Sequence, residues 1–263
     1  MKSRLPIIID CDPGQDDAVM LLLAMASPEF DILGITAVAG NVPLELTQRN
    51  ARIVCDLAGR TDMPVYSGCD RPMKRDLVTA EHVHGGTGID GIDIFQPQTP
   101  LQETHAVDFI IETLRNAADD SITLVPIGPL TNIGKAISQA PDIVPKIHQV
   151  VLMGGAMRES GNISASAEFN IFVDPDAAEI VLHCGRPVTM VPLDVTHQAL
   201  VTPPRLQRLK SLQSRAGKAT VGMLDFFNRH DTEKYAWLGA PLHDPCTIAW
   251  LLDPGLFKGK MVN

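Results

Sequence analysis

The sequence predicts an α/β protein built on an open, mostly parallel, doubly wound sheet with helices on both faces. Three observations predict it. Strand-like and helix-like stretches alternate along the chain, as in a series of β-α-β units. Several strand-like stretches are continuous apolar runs, the mark of strands covered on both faces. The residues able to do chemistry sit directly behind those runs, and such sheets bind ligands beyond the carboxyl ends of their strands.

In order, residues 7–9 read as a strand and 16–25 as a helix. A strand over 32–38 leads to a helix over 44–57, with Gly59 as its stop. Residues 64–67 form a short strand, 103–118 a helix and 122–127 a strand. A short helix over 131–138 precedes a strand over 147–153. Asp174 and Pro175 make a cap and first position for a helix ending near Cys184. Residues 188–191 are the next strand, and His243–Asp244–Pro245–Cys246 opens an apolar helix over 247–252. Residues 68–100 are polar and glycine-rich, and 203–242 are mostly helical. Both are expected as active-site flaps of a single domain, because long excursions from a compact core usually carry function.

The 263 residues, 45% of them hydrophobic, suffice for one large core. A net charge of −9 argues against nucleic acid or an anionic membrane as the main partner. Cys11, Cys55, Cys69, Cys184 and Cys246 are odd in number and scattered, which reads as reduced thiols in a cytoplasmic setting. The start MKSRLPIIID is too short in apolar residues for a signal peptide, and no run reaches transmembrane length.

Asp10, Asp12, Asp16 and Asp17 fall within eight residues, folded back by Pro13 and Gly14. Like charges about 4 Å apart repel by roughly 4 kcal/mol near a protein surface, so the cluster requires a counter-charge, a shared proton or full solvation. An all-carboxylate set favours a hard divalent cation, and an irregular loop favours calcium over magnesium. A solvated turn is the plain alternative. Glycine placement excludes an EF-hand, and the twelfth position from Asp10 is Leu21.

Other constellations carry two readings each. Asp244 opens a helix and has an ordinary use as its N-cap, while His243 beside it has the chemistry of a general acid. Asn162, Glu168 and Asn170 either cap their own loop or grip sugar hydroxyls. His82 and His84 would point the same way from an extended segment. That allows a zinc pair without an evident third ligand, or pocket-lining histidines. Tyr235 and Trp237 would stack on a base as an aromatic lid, or pack the lid onto the body.

Together these residues resemble the inosine–uridine-preferring nucleoside hydrolase family. Residues 10–18, DCDPGQDDA, look like its D-x-D-P-G-x-D-D-A signature. The likeness continues through Val38–Ala39–Gly40–Asn41, His82–Val83–His84–Gly85 and Ile127–Gly128–Pro129–Leu130–Thr131–Asn132. It extends to Ala167–Glu168–Phe169–Asn170 and His243–Asp244–Pro245–Cys246, spanning essentially the whole chain. Leu224–Asp225–Phe226–Phe227 and Gly239–Ala240–Pro241–Leu242 point within it to the bacterial pyrimidine-preferring ribonucleoside hydrolases.

The resemblance implies hydrolysis of the N-glycosidic bond of ribonucleosides, with uridine and cytidine favoured and purine nucleosides as the alternative. It implies a calcium ion held by Asp12, Asp17, Asp244 and the backbone carbonyl of Ile127, with Asp12 as general base on a calcium-bound water. Asp16, Asn41, Asn162, Glu168 and Asn170 would bind ribose. His84 and His243 would line the base side, with His243 as acid, and Asp10 would support the loop. A homotetramer or homodimer is expected. Family members usually continue with further strands and a final helix, so part of the C-terminus is expected beyond Asn263.

Two rival functions differ in class. Asp10–Cys11–Asp12 after a strand superficially resembles the haloacid-dehalogenase nucleophile motif, but Gly14 stands where that motif wants Thr or Val. A non-catalytic calcium or nucleoside binder would not require both Asp12 and His243.

Overall fold

The computed structural model describes residues 4–235 and 237–262, the side chains of 230–235 excepted. Seven strands form one sheet: β1 (Leu5–Cys11), β2 (Phe30–Ala37), β3 (Val65–Ser67), β4 (Leu101–Gln102), β5 (Ile122–Pro126), β6 (Ile147–Met153) and β7 (Val188–Val191). Their order is β4-β3-β2-β1-β5-β6-β7, and every pairing is parallel. The helices between them are α1 (Gln15–Ala26), α2 (Leu44–Ala58), α3 (Glu81–His84), α4 (Ala106–Arg115), α5 (Thr131–Gln139), α6 (Phe169–Val173) and α7 (Pro175–Leu182). After β7 come α8 (Leu193–Thr196), α9 (Pro203–Lys210), α10 (Arg215–Tyr235) and α11 (Pro245–Leu252). No described helix is long and apolar enough to cross a membrane.

The apolar run that opens the chain explains the double layer. Ile7, Ile8 and Ile9 are all fully buried, and successive strand residues face opposite sides. Ile7 and Ile9 pack with Met20, Leu21 and Val54 of α1 and α2. Ile8 packs on the other side with Ile110, Leu114, Ile133 and Val181 of α4, α5 and α7.

From β1 the chain builds outward through β2, β3 and β4, then returns to place β5, β6 and β7 on the other side. The order therefore reverses between β1 and β5, where such sheets open a crevice. The strand ends are level there: Ile127 N donates to Asp10 O at 2.8 Å, and Val38 N donates to Cys11 O at 2.9 Å. Asp12, Gly40 and Gly128 meet just beyond.

Several boundaries differ from expectation. β4 is a two-residue edge strand, too short to carry a periodicity. The helix expected from 103 begins at Ala106, because His105 takes the N-cap and its Nδ1 accepts from Val107 N. Gly59 ends α2 as expected, at φ +70°. His82 and His84 lie on the short helix α3, not on an extended segment, and both line the same cavity. His84 is buried and His82 exposed.

Candidate active site

The two turns after β1 and β5 enclose the Asp12 carboxylate. A Cβ at Gly40 would collide with its Oδ2, and one at Gly128 with its Oδ1. Oδ2 accepts from Asn41 N at 2.7 Å, while Oδ1 is buried with no hydrogen-bond partner among the described residues. Below it, Asp10 Oδ1 accepts from Thr36 Oγ1 at 2.6 Å and Asn132 Nδ2 at 2.8 Å. Burial pushes the Asp10 carboxyl up to about 7, against those two hydrogen bonds.

Asp16 and Asp17 stand in the first turn of α1, where acidic side chains suit the helix dipole. Asp17 Oδ2 accepts from Gly14 N at 2.9 Å and Asn41 Nδ2 at 3.3 Å, and Oδ1 from Asp12 N at 3.2 Å. Asp244 sits at the cap position of α11, yet its carboxylate makes no capping hydrogen bond. It faces the Asp16 and Asp17 carboxylates instead. One oxygen from each of Asp16, Asp17 and Asp244 lies within 4.8 Å of the others. The structure thus brings Asp16 into the group, with Asp12 enclosed beside it.

These carboxylates are buried. Burial first, and then neighbouring carboxylates, raise Asp12 and Asp244 well above the usual range. Burial also lifts Asp17, to about 6. Among the described residues, no ion pair involves Asp12, Asp17 or Asp244. A hard divalent cation fits this donor set on two counts. Every side-chain donor is a carboxylate oxygen, and Asp12 Oδ1 is buried without a partner. The same triad is the one group of three or more metal-capable side chains among the described residues, so His82 and His84 belong to no zinc set.

Above the carboxylates lies a cavity that opens to solvent. Asp16, Asp17, Asn41, His84, Ile127, Asn162, Glu168, Asn170, Trp237, His243 and Asp244 all line it. The Tyr235 side chain lies outside the described residues. Glu168 caps α6: its Oε1 accepts from Asn170 N at 2.9 Å, and its Oε2 from Gly155 N at 2.9 Å. Burial raises the Glu168 carboxyl despite these bonds. Asn170 Nδ2 donates to Ile127 O at 2.9 Å and Met153 O at 3.2 Å, and Asn162 Oδ1 accepts from Phe169 N at 2.9 Å. Asn162 and Glu168 thus cap their own loop, Asn170 ties it to the ends of β5 and β6, and all three line the cavity.

Beside Asp244, His243 Nδ1 lies 2.7 Å from Thr196 Oγ1. Burial, reinforced by His197 and His84, pushes the His243 ring down to about 3 and keeps it neutral. His197 stands edge-on to Trp237 and His243, with ring centroids 4.7 and 5.9 Å away. Sequence reasoning missed Gln15, Thr36, Thr196, His197 and Phe227. Thr36 was visible as a polar residue inside an apolar strand, and Thr196 and His197 as the first polar pair after β7. Phe227 and Gln15 gave no such signal.

Carboxylates at the switch point beneath a cavity with sugar-sized polar groups define a glycosidase-like hydrolytic site. The family model described as inosine-uridine preferring nucleoside hydrolase matches residues 7–263. The chain belongs to that family and is a nucleoside hydrolase. It is 49% identical over 259 residues to an uncharacterized protein of Schizosaccharomyces pombe, covering 98% of this chain and 84% of the relative. It is 47% identical over 253 residues to the pyrimidine-specific ribonucleoside hydrolase RihA of Photobacterium profundum, covering 96% and 81%. Among solved structures, the plant nucleoside hydrolase PpNRh1 matches with a TM-score of 0.93 at 33% identity, over 97% of this chain and 81% of that one. The purine-preferring ribonucleoside hydrolase from Gardnerella vaginalis matches with a TM-score of 0.91 at 38% identity, over 96% and 81%.

Proposed function

We propose that this chain hydrolyses the N-glycosidic bond of ribonucleosides to ribose and free base, with pyrimidine nucleosides favoured, and that it uses calcium. The convergence of Asp16, Asp17 and Asp244 under the cavity, with Asp12 held beside Asp17, carries the reading, and likeness to the RihA relatives supports the base preference.

Asp12, Asp17, Asp244 and the Ile127 carbonyl would hold the cation, with Asp16 at its edge. When bound, calcium polarises and orients a water. Asp12 takes the proton of the attacking water at its unpartnered Oδ1. The water oxygen bonds to C1′ as the C1′–N bond breaks, and that electron pair leaves with the base. The sugar passes through an oxocarbenium-like state, which the surrounding carboxylates stabilise. Asp16, Asn41, Asn162, Glu168 and Asn170 fix the ribose hydroxyls, supplying orientation. His243, kept neutral by burial, serves as a hydrogen-bond donor to the departing base. Asp10 holds the loop from below, and Trp237, which lines the cavity, would belong with Tyr235 to a flap over 203–242.

Purine acceptance is the second reading, favoured by the likeness to the purine-preferring Gardnerella enzyme and by the stacking surfaces of Phe227 and Trp237. Ribose release from uridine, cytidine, inosine and adenosine, with and without a calcium chelator, tests both. Chelator-sensitive release led by uridine and cytidine is expected. No release from any of the four by folded, calcium-loaded protein would overturn the reading. We also place the enzyme in the cytoplasm as a homodimer or homotetramer; sedimentation of a monomer would reject the second part.

A further inference from the structure

We propose that Gln15 is a positioning residue that holds a proton on His84 Nδ1, so that the ring, when neutral, is the Nδ1–H tautomer and a hydrogen-bond acceptor at Nε2. Gln15 is fully buried, at the first position of α1. Its Nε2 donates to two backbone carbonyls, His84 O at 2.9 Å and Asp90 O at 3.2 Å. Only the NH₂ end of an amide can satisfy two carbonyl oxygens; the reverse orientation would set three acceptors against one another. The amide oxygen is thereby the atom that faces His84 Nδ1, at 2.7 Å. An amide oxygen has no hydrogen to give, so Nδ1 carries the proton. The ring is closely packed at this contact. A Cβ on Gly14 would collide with Nδ1, and the ring stacks on Phe227 with centroids 5.5 Å apart.

The consequence for turnover rests on the nucleoside reading above, whereas the tautomer does not. Of the two histidines on the base side, His84 is fixed as the acceptor and His243 remains as the donor. Gln15 occupies the second of the two variable positions of the DCDPGQDDA run, so one side chain there would set the polarity of a cavity wall formed 69 residues later in the chain.

The test is long-range ¹⁵N–¹H imidazole NMR of the resting enzyme at pH 7.5, with the His84 signals assigned by their loss in His84→Asn. An Nδ1–H, Nε2-unprotonated ring is expected. Gln15→Leu should move the ring toward the Nε2–H form and cost about tenfold in kcat/KM, one orienting hydrogen bond's worth. Gln15→Glu keeps an acceptor for Nδ1–H but loses the NH₂ end; it should retain the Nδ1–H ring. A neutral Nε2–H ring in the native enzyme overturns the proposal, as does an unchanged tautomer in Gln15→Leu. If Gln15→Leu does not fold, the native spectrum and Gln15→Glu still decide. A correct tautomer with no ribose release would reject the nucleoside reading alone, and ribose release with the wrong tautomer this proposal alone.

Discussion

The Asn41 backbone N–H donates to Asp12 Oδ2 at 2.7 Å, and this single bond turns the other carboxylate oxygen, Oδ1, into a buried acceptor with no partner among the described residues. A buried unpaired carboxylate oxygen costs free energy unless a ligand uses it. Gly40 and Gly128 hold the carboxylate in that position because neither carries a Cβ to displace it.

Gly128→Ala should therefore move Asp12 without touching any other proposed ligand side chain. The expected outcome is a loss of about 10–100-fold in metal affinity or turnover, with the fold retained by circular dichroism. Gly259→Ala, where a Cβ meets nothing within 4 Å, should leave both unchanged. Native activity in Gly128→Ala would show that the carboxylate's position is not critical.

Metal removal should be legible as stability. Cation bound at 100 times its Kd adds about 2.7 kcal/mol to the folded state. Scanning calorimetry with calcium against chelator should show a Tm that rises with free calcium, and Asp244→Asn should blunt the rise. A Tm indifferent to calcium would leave the carboxylate cluster without its proposed counter-charge.

Asp56 should set part of the acid limit of the fold. Its carboxylate accepts from Thr99 Oγ1 at 2.6 Å, Gln98 N at 2.6 Å and Thr99 N at 2.9 Å, tying α2 to the end of the 68–100 segment. Burial would raise this carboxyl, but the Thr99 hydroxyl, the two backbone donors and Arg215 outweigh it and hold it below the usual value of 3.8. A folded-state value below the unfolded one contributes stability above the unfolded value. That contribution is lost as pH falls through the folded value. Urea unfolding of Asp56→Asn should show a loss of about 1–3 kcal/mol at pH 7. Below about pH 4 the gap from the native protein should shrink. An equal gap at pH 3 and pH 7 would exclude an ionised Asp56 as the cause.

Most of the frame was legible because it rests on strong, local signals. Ile7, Ile8 and Ile9 could only be a doubly covered strand, and the turn residues behind the strands had nowhere to go but the crevice. Asp244 was harder, since a helix-opening aspartate looks like a cap; only the packing of α11 on α1, which brings it to Asp16 and Asp17, separates the two uses. The two-residue β4 carries no pattern of its own. The segment holding His82 and His84 looked extended because four helical residues are too few to show a period. Gln15, Thr196, His197 and Phe227 act through contacts between segments far apart in the chain, so their roles follow from the packing of elements that local pattern cannot rank.

Asp12 and His243 should separate metal binding from departure of the base. Asp12→Ala deletes a ligand and the proposed base together, so it should abolish both calcium binding and turnover. His243 lines the cavity, is held through Thr196 Oγ1, and belongs to no metal-capable group among the described residues. His243→Ala should therefore keep calcium affinity within about threefold while slowing turnover by about 10²–10⁴-fold, the range of a positioned proton-transfer group. The loss should be larger for inosine than for uridine if the ring serves purine departure more. Isothermal titration of both variants with calcium, alongside ribose release, reads the two effects independently. Equal loss of metal in the two would mean that His243 supports the carboxylate cluster, and the proposed division of roles would be wrong.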